Sequence, residues 1–562
     1  MKNIRKFSAI PVEGTADWLG NAIESVAYLQ SRLLSDWVPL YVSMPNFWFH
    51  AILMPAGKAN PVDQAALGNA HLDASRGWAL EHSWTSMSES MYLDPPLGSG
   101  NVFDGAHQLV YRRRMEGVPS RRSYTELDQR LTQALGLHFM EERNAYCIVN
   151  EQGDIEPVIR IEDIAADERG DSGHVVEIKA EALARYMAVT GMALVGKFDF
   201  TRVDHRGIGF PGWDRAERFD LSTPDLFYHG GVVAGACSYV NGWIVSRPSV
   251  TVEQVMEQEN EKSDRSKRRH ADFIIQDFRH KRIVEWSASP TRTTNYFDAT
   301  EGLPFELSPV FFKPAVLAKY KADQEKYQID GRSIRCRGGW ELRSFDINEA
   351  GQVHTYLQDL SFLPYEEQLY WKSSNEEPRA PVSKRSFDSD FKGEWTDRID
   401  PLDSIKHRAA SLDRSPPAWW SERGEPVLLA AQYPSLENAS EWGDELMHLD
   451  QLVVEGFKLS GLRGIASRRG IAIETNWKSL KLIECILVAA GRTVDEAKEV
   501  IAPFQRLHAL RNVLTAHTAG SAKAEERAAA IRQYKTYRAH FEQLAARIDA
   551  GMKIIEAVLS EH

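Results

Sequence analysis

From about residue 436 onward the chain carries one uninterrupted signal. Apolar residues recur three and four positions apart, and no strand-like alternation intervenes. A segment of this kind can fold only as packed helices. Breaks fall between Gly461 and Gly470, at Gly491, and from Thr518 to Ser521. The spacing therefore predicts four helices over 437–462, 476–491, 493–517 and 523–560. Thr493 with Glu496 three residues on reads as a capping box that starts the third helix. Long helices joined by short loops make a bundle.

The rest of the chain reads differently. Residues 14–35, 124–138 and 180–191 have helical spacing. Between them, WVPLYVSMPNFWFHAILMPAG, NAYCIVNEQG, EPVIRIEDI and MALVGKFDFTRV are rich in branched and aromatic residues and read as strands. Residues 270–286 and 332–361 are β-rich, with NEAG as a turn ending in Gly351 between two strands. From about 372, Pro, Ser and charge accumulate, as in a linker or a strap. Trp395, Trp419 and Trp420 favour a strap that docks on another domain. No internal repeat is visible. The expected fold class is multidomain α+β, with four regions: a mixed α/β domain over 1–250, a β-rich domain over 251–371, a linker or strap over 372–430, and an all-α bundle over 431–562.

Charge and cysteines limit the function classes. The net charge is −12. Residues 431–562 hold 17 basic and 17 acidic residues, so the first 430 carry the whole imbalance. Within 506–553 nine basic residues face four acidic ones, which makes the last two helices the place where an anionic ligand would be drawn. Four cysteines, none in a CxxC pair, argue against a zinc ribbon or a disulfide framework. The basic N-terminus is interrupted by Pro11, Glu13 and Asp17, unlike a signal peptide. No run reaches the roughly 18 apolar residues of a membrane helix. A cytoplasmic protein without a membrane, a metal or another cofactor is the expectation.

The chemistry-bearing stretch is LHALRNVLTAHT, residues 507–518. Arg511, Asn512 and His517 sit late in an apolar helical run. Six residues on an ideal helix separate Arg511 and His517 by about 9 Å and 120°, which puts His517 on the apolar side between Leu510 and Val513. Two readings follow. His517 is a core histidine with Arg511 at the rim, or the apolar side is a subunit interface where two Arg/His pairs face one cleft. The second suits RNA cleavage without metal. Imidazole exchanges protons with the ribose 2′-hydroxyl or the leaving oxygen, and a guanidinium fork binds phosphate.

The LRNVLTAH stretch resembles the RNxxxxH-type signature of the HEPN domain family. The terminal bundle, the late motif and the long last helix match as well. The resemblance covers about residues 436–562. It implies a dimer with a composite active site and metal-independent endoribonuclease activity yielding a 2′,3′-cyclic phosphate, with Arg511, Asn512 and His517 as the catalytic set. It also implies roles in anti-phage defence, toxin systems or stress responses. In RQYKTYRAH, Arg532, Lys535 and Arg538 interleave with Tyr534 and Tyr537, a pattern that can track phosphates and stack bases. Arg506 and His508 could face the same cleft.

The N-terminal half offers no comparable signature. The basic run 262–282 could grip nucleic acid, but acids are interspersed. Asp272 and Asp277 before Glu285 lack the lysine a nuclease carboxylate pattern requires after the glutamate. Asp199, Asp204 and His205 have no second histidine at ligand spacing. YHGGVVAGACSYVNGW lacks the GK[ST] of a phosphate loop. The sequence therefore predicts an RNA-cleaving homodimer or higher homo-oligomer. Its acidic N-terminal region would sense a phage-derived or nucleic-acid trigger. The alternative is a non-catalytic dimerisation or partner-binding module.

Overall fold

The computed structural model describes the chain apart from residues 1–21, 45–46, 60–69, 99–101, 115–122, 165–172, 204–214, 236, 296, 299–301, 395–399, 436–437, 516–519 and 561–562. The molecule is mixed α+β, with a β-rich N-terminal half and a helical C-terminal region. It divides into two compact units. The first comprises residues 1–150 and 155–263, the second residues 151–154 and 264–562.

In the first unit, α1 (Ala22–Leu33) leads into β1 (Trp37–Met44) and β2 (Phe47–Pro55). A hairpin, β3 (Ala79–Trp84) and β4 (Glu89–Asp94), follows. Then come β5 (His107–Gln108) and a second hairpin, β6 (Val110–Arg114) and β7 (Ser123–Leu127). The remaining strands are β8 (His138–Met140), β9 (Ala145–Val149), β10 (Ile155–Ile164), β11 (Gly173–Lys179), β12 (Met192–Val203), β13 (Glu217–Ser222), β14 (Leu226–Val233) and β15 (Cys237–Ser246). Helix α2 (Ala180–Thr190) joins β11 to β12, and α3 (Val252–Ser263) closes the unit.

One antiparallel sheet runs β13-β14-β15-β12-β2-β1-β11-β10-β9-β8. Strand alternation splits β2 between two cores. Phe49, Ala51 and Leu53 join Leu29 and Leu183 on one face. Ile52 and Met54 join Val195 and Trp243 on the other. The stretch 124–138, read from sequence as a helix, is strand β7, a short helix Gln129–Ala134, and strand β8. Asp128 caps the short helix by accepting from the Arg130 amide, and Gly136 adopts a φ of +63° just beyond it.

The second unit begins with β16 (Asp272–Asp277), β17 (Arg282–Ser287) and β18 (Pro309–Phe312). A three-stranded meander follows: β19 (Tyr327–Asp330), β20 (Ser333–Cys336) and β21 (Trp340–Leu342). Strands β22 (Asp346–Ile347) and β23 (Val353–Tyr356) form the expected hairpin, and Gly351 takes φ +73° in its turn. The second strand stops at Tyr356, and Leu357–Leu360 is helical.

Helices then dominate: α4 (Tyr365–Lys372), α5 (Pro401–Arg414), α6 (Gly424–Ala430), α7 (Ala439–Val453), α8 (Leu459–Arg468), α9 (Ser479–Ala489), α10 (Val494–Thr515), α11 (Gly520–Tyr534) and α12 (Tyr537–Ser560). Two of the four expected helices are each divided. The run 437–462 breaks after Val453, and 523–560 breaks at Lys535, which adopts φ +71°. Thr536 then caps α12 by accepting from the Ala539 amide.

The helical core reaches back beyond residue 431. Leu402, Ile405, Trp419 and Trp420 belong to the same apolar cluster as Leu446, Leu507 and Ile548. Ser404 and Arg408 of α5 bond Asp549 of α12. Residues 400–430 are thus an integral layer of the bundle rather than a linker, and the two tryptophans pack inside its core instead of docking a strap on another domain. Trp395 lies outside the described residues.

Candidate functional site

Helix α10 carries the candidate motif. Its start is the capping box read from sequence: the Thr493 amide donates to Glu496 at 2.8 Å, and the Glu496 amide to the Thr493 hydroxyl at 3.2 Å. Ala497, Ile501, Phe504, Leu507 and Leu510 face the core and are fully buried. That orientation sends His508 and Arg511, three residues apart, to a neighbouring face. There they meet the C-terminal end of α7.

Asp450 of α7 is the centre of this meeting. Its side chain has no exposed surface. His508 donates from Nδ1, which lies 3.2 Å from both carboxylate oxygens. Arg511 Nε lies 3.9 Å from Oδ2 and its Nη2 donates to Glu455 at 3.2 Å. Burial pushes the Asp450 carboxyl above its ordinary range, and the charges of His508 and Arg511 oppose that rise. His508 and Arg511 both keep a solvent-facing part, with 43% and 29% of their side chains exposed. Asn512 is exposed beside them. His517 lies outside the described residues. Two members of the motif are therefore located, at the rim of the bundle, with a buried carboxylate behind them.

The other predicted contacts divide. Arg506 makes a two-pronged ion pair with Glu526 of α11, away from Asp450's partners. Arg532 is exposed. Tyr534 packs edge-on to His540 at 4.9 Å, and Tyr537 stacks on Trp442 at 5.0 Å. Arg538 is buried, donates to Glu542 at 2.9 Å, and covers the Tyr433 ring. Lys535 is exposed at the helix junction. Tyr534, Lys535 and Arg538 line a cleft of about 750 Å³ together with Ser383, Lys384 and Arg385. Most of its lining side chains are polar or charged, but Tyr537 and Arg538 serve the core through ring and ion-pair contacts.

Asp450 and Glu455 escaped the sequence reading. Their available signal was a carboxylate at each end of DQLVVE. Elsewhere, Glu285 pairs with Lys372 at 3.0 Å, a cation remote in sequence. Asp199 accepts from the Thr201 hydroxyl at 2.9 Å; Asp204 and His205 lie outside the described residues. Among the described residues no cluster of three His, Cys, Asp or Glu side chains could hold a metal, and no helix is long and apolar enough to cross a membrane. No protein-family model matches the chain, and no curated protein or solved structure is significantly similar to it.

Proposed function

We propose that the chain is a metal-independent endoribonuclease of the HEPN type, restrained by its N-terminal half. The observation that carries this reading is the position of Arg511: a guanidinium reaching solvent at the rim of a helical bundle, oriented by a buried carboxylate and flanked by a histidine. Arg511 would bind the phosphate through two N–H groups and offset the charge that builds in the transition state. His517 would take the proton of the ribose 2′-hydroxyl. The 2′-oxygen then attacks phosphorus, the bond from phosphorus to the 5′-oxygen breaks, the imidazolium so formed gives that oxygen its proton, and a 2′,3′-cyclic phosphate remains. Asn512 would orient one of these partners. A second copy would complete the site, and a phage-derived or nucleic-acid trigger acting on the N-terminal half would release it, as in a toxic defence effector.

The test is RNA cleavage by the full-length protein in EDTA and RNA integrity in expressing cells, comparing wild type, Arg511→Ala and His517→Ala with thermal melts of each. Cleavage that persists in EDTA and vanishes in both folded variants supports the reading. The ion pairs from Arg511 to Glu455 and Asp450 favour a second reading, in which Arg511 fastens α10 to α7 and the bundle mediates contacts only. That reading is favoured if wild type cuts no RNA and Arg511→Ala chiefly lowers the melting temperature.

A further inference from the structure

The hairpin β3–β4 pairs with no other strand among the described residues. Its register places Leu80 opposite Leu93, His82 opposite Met91 and Trp84 opposite Glu89. These six side chains therefore share one face, because alternate residues of a strand point the same way. Trp78 precedes Leu80 by two residues, and Met87 sits in the Thr85–Ser88 turn, closed by the Thr85 amide donating to the Ser88 carbonyl at 2.8 Å.

The exposures are extreme for such residues. Trp78 is 59% exposed, Leu80 77%, Trp84 74%, Met87 95%, Met91 64% and Leu93 56%. Counting a large side chain as about 150–250 Å² when fully exposed, the four apolar residues of the strand face leave on the order of 500 Å² in water, and Trp78 at the base and Met87 at the tip bring the total to on the order of 800 Å². The largest apolar patch of an ordinary monomer is about 300–600 Å². A standard protein interface takes about 800 Å² from each partner. A lone two-stranded hairpin is also marginal in water without a covering layer.

We infer that this face is a self-association surface, covered by the same face of a second copy of the chain. Area is the first argument, since the patch matches what one side of a stable dimer buries. Charge is the second. The two polar groups on the face, His82 and Glu89, hydrogen-bond each other at 2.7 Å, so the face can meet its own copy without like-charge repulsion. A two-fold axis through the hairpin sets the Leu80–Leu93 rung of one copy against the Trp84 and Met87 end of the other, a self-complementary fit. An anionic lipid surface suits it poorly. The face has no lysine or arginine, and Arg76 at the hairpin base is ion-paired with Asp94. The inference stands independently of the ribonuclease reading.

Sedimentation velocity of the full-length protein across a concentration range tests it. Two double variants remove apolar area from the face, Trp84→Ser with Leu93→Ser and Met87→Ser with Met91→Ser. Tyr92→Ser changes the opposite face as a control. All four positions of the double variants are exposed, so melting temperatures should hold. The expected result is concentration-dependent association in wild type and Tyr92→Ser, weakened at least tenfold in both double variants. Identical sedimentation of wild type and the folded double variants overturns the inference, whatever their common state. So does a monomeric wild type that floats with phosphatidylcholine/phosphatidylserine vesicles.

Discussion

Asp450 and His508 meet across two helices, the imidazole Nδ1 lying 3.2 Å from each oxygen of a carboxylate that has no exposed surface. A buried carboxylate is retained only where donors compensate its lost hydration. His508 donates to it and the Arg511 guanidinium lies 3.9 Å away as an ion-pair partner, and both remain open to water on their outer side. Asp450→Asn keeps the shape and removes the charge that aims them. Because the partners can rehydrate, and because burial already disfavours the Asp450 charge, the net change in stability is expected to stay within about 1 kcal/mol. Thermal unfolding reads that change. RNA cleavage should fall at least tenfold as Arg511 loses its orientation.

Arg511→Ala separates chemistry from packing. A part-exposed ion pair contributes about 0–1 kcal/mol, so the melting temperature should move by no more than a few degrees. Cleavage should disappear. Arg511→Lys keeps the charge but loses the planar fork, and is expected to retain under a tenth of wild-type activity. A collapse of stability in Arg511→Ala would instead mark the residue as a structural fastener.

Glu455 holds the same guanidinium that the phosphate would need. Removing its charge with Glu455→Gln leaves Asp450 in place and frees one arm of the fork. RNA affinity, followed by fluorescence anisotropy of a labelled oligonucleotide at low salt, should tighten severalfold. Unchanged affinity would show that Glu455 does not compete with the ligand.

These contacts also show what the sequence could convey. Local rules were legible: the Thr493–Glu496 box, the Gly351 turn, and the branched and aromatic richness that makes β1, β2 and β12 strands. The burial of Trp419 and Trp420 followed from their apolar bulk in a polar stretch. The division of the last helix was hidden, because QYKTYR contains neither glycine nor proline, and the positive φ of Lys535 is held by surrounding structure. The pairing of β12 with β2 joins segments over a hundred residues apart along the chain, which no local pattern encodes. Asp450 looked like one polar residue on a helix because its partners arrive from α10. Arg538 read as a phosphate ligand because its spacing is that of an exposed helical face; in the fold that face meets Tyr433.

Two histidines of the second unit give a pH test. His354 accepts a hydrogen bond at Nε2 from the Ser383 amide, and His540 accepts at Nδ1 from the Trp442 indole, each at a nitrogen that protonation would block. Burial, as the leading cause, pulls both down to about 4. An unfolded histidine titrates near 6.5. Above that pH both states are neutral and neither residue affects stability. As pH falls from 6.5 toward 4 the unfolded chain binds protons that the folded one refuses, so stability drops. His540→Gln still offers an acceptor to Trp442 but does not titrate. Its stability, from urea unfolding at several pH values, should fall less steeply than wild type by one proton, about 1.4 kcal/mol per pH unit within the window. Parallel curves would show that His540 charges freely in the folded state.

The packing of the 400–430 layer is open to a matched pair of substitutions on α8. A Cβ at Gly461 would lie 1.9 Å from the Ala418 carbonyl oxygen, and the backbone there leads directly into Trp419 and Trp420. At Gly464, one turn on, it would meet only the tip of Arg468, at 3.7 Å. Alanine is the better helix former by about 0.5–1 kcal/mol, so Gly464→Ala should stabilise the unit slightly. Gly461→Ala gains the same helix preference but must displace backbone, at a cost of about 1–3 kcal/mol or more. Urea unfolding should therefore move in opposite directions for two identical substitutions three residues apart. If Gly461→Ala proves neutral, the tryptophan layer is not held against α8, and the helical core ends nearer residue 431.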